Sequence, residues 1–478
     1  MGGRDQGLGR FGLVGPLAMS LMHDYLRPLD ADTLFTDAQW LAAMLGFESA
    51  LAQAQAECGV IPQAAAEAIA QACAAVQLDR EALVARARCS GAMGLAVLQP
   101  LQQWLRAHRP EGLDWLHWGS TTQDVVDTAQ ALLTRAALQA LLAELAGLQE
   151  CLTDLARRHA AMPMLARSLL QPAQVTSFGF KCAQSAAALQ RCRAQLQAQA
   201  AQALCVQLGG AVGNRAVLGP AAAAVEQALA RRLGLQACGY SWHTQRDAWL
   251  RLAMEVAVCG GSLAKLAKDW SLMMQYEVGE LYEAPRGSTS SAMPHKRNPV
   301  HCMQAVAQTQ PVPQLAATLL ACMAQAHERG LGEWQAEVAH GASLWRHVHA
   351  AAAALRSAAQ GLQVDTARMQ AHIDGLQGVV YSEALSQVLA PLLGKPGAQA
   401  AVAECAAQAL QQAQPLQLLL ERWLRRQGMP VDAALESALA AAANPWLAVQ
   451  SSAQACGDLL ARTAASASLK ENDHALHP

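Results

Sequence analysis

The sequence predicts an all-α protein, organised as three helical domains around a central bundle of long helices. Three observations lead there. Hydrophobic residues make up 53% of the 478 and charged residues 15%, a globular rather than a disordered balance. Alanine and leucine, which head the helix-propensity scale, are abundant, whereas β-branched residues are sparse. Apolar positions recur at steps of three and four over long stretches, the period of a helix with one buried stripe.

Taken in order, residues 1–22 (MGGRDQGLGRFGLVGPLAMSLM) resemble a signal peptide only superficially. Asp5 falls where a basic segment is needed and no small-x-small cleavage site follows. Gln6 also spoils a myristoylation match. A flexible extension is expected, with Met19 and Met22 as alternative starts. Residues 23–115 form an N-terminal domain of medium helices, the first carried by 41–59. Residues 116–363 form the central domain. Its first long helix carries a stripe through Val125, Val126, Ala129, Leu132, Leu133, Ala136, Leu141, Leu145, Leu148, Leu152 and Leu155. Further long segments are expected at about 173–207, 246–284, 299–327 and 333–361, with a glycine-bearing loop at 208–220. Helices of this length bury their stripes best against one another. Residues 364–478 form a C-terminal domain of shorter helices, and LKENDHALHP reads as a frayed tail.

The formal net charge of -2 and the lack of a basic stripe argue against nucleic acid as a partner. No run of eighteen or more apolar residues marks a membrane span. The 13 cysteines are scattered without a CxxC pair, so neither a disulfide framework nor a metal site is expected. Reduced thiols point to the cytoplasm.

Four loops gather polar residues at the ends of long helices. HWGSTTQD (117–124) offers His117, Thr121, Thr122 and Gln123. Its hydroxyls could cap a helix, with Thr121 and Asp124 as the capping pair, or hold a carboxylate on the same amides. ARSLLQPAQ (166–174) offers Arg167 and Gln171 and reads alternatively as a helix–helix turn, with Pro172 at the first helical position. WHTQRD (242–247) brings His243, Gln245 and Arg246. The histidines could orient a carboxylate or be structural, and the arginines could clamp one bidentately or form internal ion pairs. GSTSSAMPHKRNP (287–299) combines Ser290 and Ser291, the cation Lys296 and the amide of Asn298, with Asn298–Pro299 as the N-cap and first turn of a helix whose dipole adds positive potential. A mobile loop carrying a base over an anionic substrate needs these parts.

On its Ser-Ser-x-Met-Pro-x-Lys-x-Asn core, this last loop resembles the signature of the fumarase/aspartase superfamily. HWGSTTQDVVDTA, WHTQRD, LMMQYEVGE and HERGLGEWQAE are most similar to its bacterial 3-carboxy-cis,cis-muconate cycloisomerases, over about 30–462. The resemblance implies a helical homotetramer with active sites shared between subunits, a small polycarboxylate substrate, and no metal or other cofactor. It implies Ser290 as the base beside Ser291, with Lys296 stabilising the alkoxide. Asn298, Thr121, Thr122 and Gln123 are then carboxylate-binding positions.

Two departures carry information. Where fumarase and adenylosuccinate lyase place a histidine serving the leaving group, this chain has Leu169, and the glutamate paired with that histidine is Met303 here. Hydroxide and amines need a proton donor to leave. A carboxylate, with a conjugate acid of pKa about 4, does not. The expected reaction is therefore ring closure of 3-carboxy-cis,cis-muconate to 4-carboxymuconolactone, by addition of a substrate carboxylate to the alkene. The cycloisomerases have tryptophan at the Leu169 position, a further departure that bears on the substrate. A fumarate-releasing lyase and a non-catalytic helical tetramer are the alternatives.

Overall fold

In the computed structural model, which describes residues 24–28, 33–284, 293 and 295–475 (side chains to 465), several helices begin where the sequence offers side-chain caps. Thr36 and Gln39 form a reciprocal capping box at 3.2 and 2.9 Å and open α1, Asp37–Glu57. Gln63–Ala75 (α2) follows, then Arg80–Ser90 (α3), where Asp79 accepts from the Ala82 amide at 2.7 Å, then Met93–His108 (α4). The central helices are Thr122–Arg158 (α5), Phe178–Ala203 (α6), Ala222–Leu233 (α7), Asp247–Met274 (α8), Val300–Thr309 (α9), Val312–Ala321 (α10) and Glu333–Gln360 (α11). Thr366–Asp374 (α12), Ser382–Gln412 (α13), Leu416–Arg426 (α14), Ala433–Ala442 (α15), Pro445–Ala448 (α16) and Gln450–Ala475 (α17) complete the chain.

The molecule is almost entirely helical, as expected. Among the described residues two antiparallel two-stranded pairs interrupt it: Pro163–Ser168 (β1) with Gln171–Ser177 (β2), and Leu281–Tyr282 (β3) with Gln363–Val364 (β4). The 37 residues of α5 span about 55 Å. Leu141, Leu145, Leu148 and Leu152 are fully buried along its stripe, whereas Ala136 is exposed and Ala137 takes the inward position. Part of α5 reaches a mean hydropathy of 1.4, enough by length and composition to cross a bilayer, but the helix packs against α1, α6 and α11 as a core element. Glycines permit the closest crossings. A β-carbon at Gly179 would meet the Ala156 carbonyl at 2.5 Å, so α6 can start against the end of α5 only without one.

Several expected boundaries move. The segment 166–174 is a β-hairpin, not a helix–helix turn: Pro172 pairs with Arg167 inside the strands, and α6 opens at Phe178. Leu169 and Leu170 make its two-residue turn at φ 53° and 64°, the left-handed geometry that Asn-Gly usually supplies, so the local signal was missing. The segment 246–284 is helical only to Met274. The segment 299–327 splits into α9 and α10 at Pro311, which has no amide to continue the ladder. Asn298 is not the cap of α9. Pro299 holds the cap position, and the Glu283 carboxylate accepts from the His301 and Cys302 amides at 3.0 and 2.9 Å. The final helix continues to Ala475, into the segment expected to fray.

One large apolar core runs from Leu34 to Cys456 and is continuous across residue 115. A second, around Ile373, Leu385, Leu389, Val402, Leu420 and Leu439, gives the C-terminal helices their own interior and takes in Leu165 from β1. All thirteen cysteines are free thiols.

Candidate active site

The polar loops come together through buried charges that the helices bring inward. Asp124, in the first turn of α5, is fully buried and surrounded by donors. It accepts from the amides of Thr121 (3.0 Å), Gly209 (2.9 Å) and Gly210 (2.9 Å), and His243 Nε2 lies 2.7 Å from its Oδ1. A carboxylate can be buried only when its lone pairs are taken up in this way. The arrangement fixes the 208–211 loop against the start of α5, with Gly210 at φ 70°.

Arg329 then closes this end. Its Nη1 donates to Thr121 Oγ1 at 2.9 Å and its Nη2 to the carbonyls of Gly210 (3.3 Å) and Ala211 (3.0 Å), while Nε is buried without a partner among the described residues. Thr122 packs against Gly94. Gln123 is buried and donates to Asp127 Oδ2 (3.2 Å) and the His243 carbonyl (3.0 Å). Gln245 is exposed and borders a small cleft with Tyr240 and Trp249. His117, at φ 62°, places Nδ1 2.6 Å from the buried Glu48. Burial opposes its charged form, but the Glu48 carboxylate, assisted by Asp124, outweighs that and raises the imidazole above its ordinary range.

Arg246 faces inward. Fully buried, it donates from Nε to Glu337 Oε2 (3.1 Å) and from Nη1 to Asp127 Oδ2 (2.9 Å), pairs through Nη2 with Glu337 Oε1, and lies 4.5 Å from the Trp242 ring centre. Trp334 Nε1 donates to the other Asp127 oxygen at 2.8 Å. Its fork is engaged by protein carboxylates, which is the internal ion-pair alternative. Burial raises the Glu337 carboxyl, and Arg246 counteracts only part of that.

At the hairpin, Arg167 forms a bidentate pair with the buried Glu280 at 2.7 and 3.0 Å, and His372 Nδ1 lies 2.7 Å from the same carboxylate. Gln171 stands opposite Ser168 beside the turn and is exposed. Lys296 is exposed and Asn298 half-buried just before α9. Ser290 and Ser291 lie outside the described residues. Leu169 and Met303 are 94% and 46% exposed, so neither is held in the core.

The sequence-derived residues gather around two buried carboxylates, Thr121, His243 and the neighbouring Arg329 around Asp124 and Arg167 at Glu280, while Lys296 and Asn298 stand just before α9. Among the described residues no hydrogen bond or ion pair joins the Arg167–Glu280 pair to the Asp124 group. Sequence reasoning gave no role to Arg329, Glu48, Glu280, His372 or Glu337. HERGLGEWQAE does contain Arg329 and Glu337, so the motif was visible without its geometry. Among the described residues no cluster of three or more metal-ligating side chains is present.

Comparison with known proteins places this arrangement. A family model described as a lyase matches residues 24–309. The 3-carboxy-cis,cis-muconate cycloisomerase of Bradyrhizobium diazoefficiens is 41% identical over 365 residues, 76% of this chain and 81% of that protein. The enzyme of the same name from Pseudomonas putida is 38% identical over 389 residues, 81% of this chain and 92% of that protein. The crystal structure of 3-carboxy-cis,cis-muconate lactonizing enzyme from Pseudomonas putida superposes with a TM-score of 0.85 at 33% identity, covering 93% of this chain and 98% of that one. The chain belongs to this lyase family, the fumarase/aspartase superfamily, and within it to the 3-carboxy-cis,cis-muconate cycloisomerase family of enzymes.

Proposed function

We propose that the protein closes 3-carboxy-cis,cis-muconate to 4-carboxymuconolactone without a cofactor. The observation that carries this reading is a pair of positions without acid–base chemistry: Leu169 at the hairpin turn offers no proton, and Met303 on α9 is no carboxylate. In the ring closure one substrate carboxylate oxygen forms the new C–O bond. The alkene electrons move toward the neighbouring carboxylate as an enolate, and a proton is added at the α-carbon. Reversed, the leaving group is a carboxylate, which departs without an acid.

The proton is assigned to Ser290, with Ser291 beside it, and the developing enolate charge to Lys296 and Asn298. Thr121 and Thr122 receive a second carboxylate at the end of the molecule where Arg329 lies, the Gln123 amide hydrogens being given to Asp127 and the His243 carbonyl. Preorganised donors of this kind are worth about 2.7–4 kcal/mol each in the transition state. The reading takes the protein as a homotetramer whose active sites are shared between subunits, so that Lys296 and Asn298 of one chain meet Thr121 and Thr122 of another.

The test is an ultraviolet assay with 3-carboxy-cis,cis-muconate. Loss of the conjugated-diene absorbance with formation of the lactone is expected, and an S290A variant should abolish it. Unchanged absorbance, or release of fumarate from a succinyl adduct in its place, would remove the reading.

A further inference from the structure

Two cysteines stand at the foot of the two loops that clamp Asp124. Cys205 opens the segment that ends in Gly209 and Gly210, whose amides donate to that carboxylate. Cys238 opens the segment that ends in His243, whose Nε2 lies against the same group. The feet of the loops run side by side. Cys205 pairs in parallel with Gln236, and the Val206 and Gln236 amides donate to the Gln236 and Leu204 carbonyls, each at 2.9 Å. Cys238 follows Gln236 by two residues, the spacing at which an extended chain returns its side chain to the same face. The two cysteine side chains are hydrogen-bond partners of one another.

This contact makes the two thiols unequal. The Cys205 thiol, donating to the Cys238 sulfur, holds Cys238 below the usual thiol range against burial and the Glu226 carboxylate, 3.9 Å away. The same bond, together with burial, raises Cys205. Glu226 is itself matched by Arg215 at 2.6 Å and accepts from the Gly239 amide at 2.9 Å. A thiolate is the nucleophile of sulfur chemistry, and a second thiol beside it resolves what it forms. Neither sulfur is sealed off. Cys238 is half-buried, and Cys205 lines the small cleft bordered by Tyr240, Gln245 and Trp249.

We propose that Cys205 and Cys238 are a hydroperoxide-reactive pair whose disulfide fastens the 205–210 loop to the 238–243 loop beside Asp124. This rests on no step of the ring closure. The Cys238 thiolate attacks one peroxide oxygen, forming an S–O bond as the O–O bond breaks, and the departing hydroxide takes up a proton as water. Cys238 is then a sulfenic acid. The Cys205 sulfur attacks it, the S–S bond forms, the S–O bond breaks, and the Cys205 proton leaves with the oxygen as a second water. Two thiols have lost two electrons and two protons, and one hydroperoxide has been reduced to two waters.

The test exposes reduced full-length protein to a slight excess of hydrogen peroxide, then unfolds it in N-ethylmaleimide and digests it with trypsin for mass spectrometry. Each of the two cysteines is alone in its tryptic peptide, 194–215 and 233–246. The expected product is these two peptides joined, lighter than their sum by two hydrogens and separated by dithiothreitol. It should form before the exposed Cys89 is oxidised. Recovery of both peptides with maleimide-capped thiols, of Cys238 as a sulfinic acid, or of either cysteine joined elsewhere overturns the proposal. In C205S, Cys238 is expected to stop at the sulfenic acid, trapped by dimedone, and an untrapped thiol there removes Cys238 as the nucleophile. Hydrogen exchange at the Gly209 and Gly210 amides should slow about tenfold in the joined wild type and recover with dithiothreitol. Unchanged exchange in joined protein overturns the fastening of the loops.

Discussion

Asp124 shows how a residue that reads as a helix cap can organise a site. The capping pair was legible because Thr121 and Asp124 are three apart, and the Thr121 amide does donate to Asp124. Its other partners, Gly209 and His243, lie 85 and 119 residues away, and no local pattern announces them. Arg246 teaches the same lesson with the opposite outcome. WHTQRD left it between a substrate clamp and an internal ion pair, and the carboxylates it holds are those of Asp127 and Glu337, 119 and 91 residues distant. Residue type was readable from sequence, whereas direction was not. His117 supplies a prediction at this scale. Its folded-state pKa is raised by Glu48, so its contribution to stability is full below the unfolded value and is lost as pH rises through the folded one. Urea midpoints of wild type should therefore fall more than those of H117Q as pH rises above about 6.5, the unfolded value. Equal falls would show that the Glu48 contact does not couple protonation to folding.

Among the elements, long helices were the most readable and the hairpin the least. The stripe of α5 repeats often enough to be seen, and Pro311 stops a helix by chemistry that sequence does contain. The hairpin is short, carries a proline in its second strand and turns on two leucines. Non-glycine residues in left-handed geometry cost roughly 1–2 kcal/mol each. Here they gain no burial in return, being 94% and 75% exposed. Replacing Leu169 and Leu170 by glycine should accordingly raise Tm, with about 0.5–1 kcal/mol gained per site after glycine's own entropy in the unfolded chain is subtracted. A lower Tm would instead mean that the leucines are covered in the assembled protein, with contacts worth more than the strain.

At the scale of the whole molecule, the polar loops come from elements far apart in the sequence, and the proposed reading has them meet across subunits. The existence of the long helices could be read from sequence because they follow local periodicity, whereas several of their ends, at Met274 and before Pro311, were missed. The meeting point of the loops could not be read, because it depends on packing between elements and, on the proposed reading, between copies. That reading makes a quantitative statement. Let Arg329 be lost in one variant, R329A, and Lys296 in another, K296M. Each alone should reduce turnover roughly a hundredfold or more, the loss expected for one preorganised donor. Suppose a site takes Arg329 from one subunit and Lys296 from another. When the two variants are unfolded together in equal amounts and reassembled, a site is intact if its Arg329 comes from a K296M chain and its Lys296 from an R329A chain. Random assembly makes about a quarter of the sites intact by that count, provided subunits mix freely in a closed oligomer. If both residues come from the same chain, every site carries one defect and no activity returns. Recovery near a quarter of wild-type turnover therefore supports sites shared between subunits, and recovery no higher than that of the single variants assigns both residues to one chain.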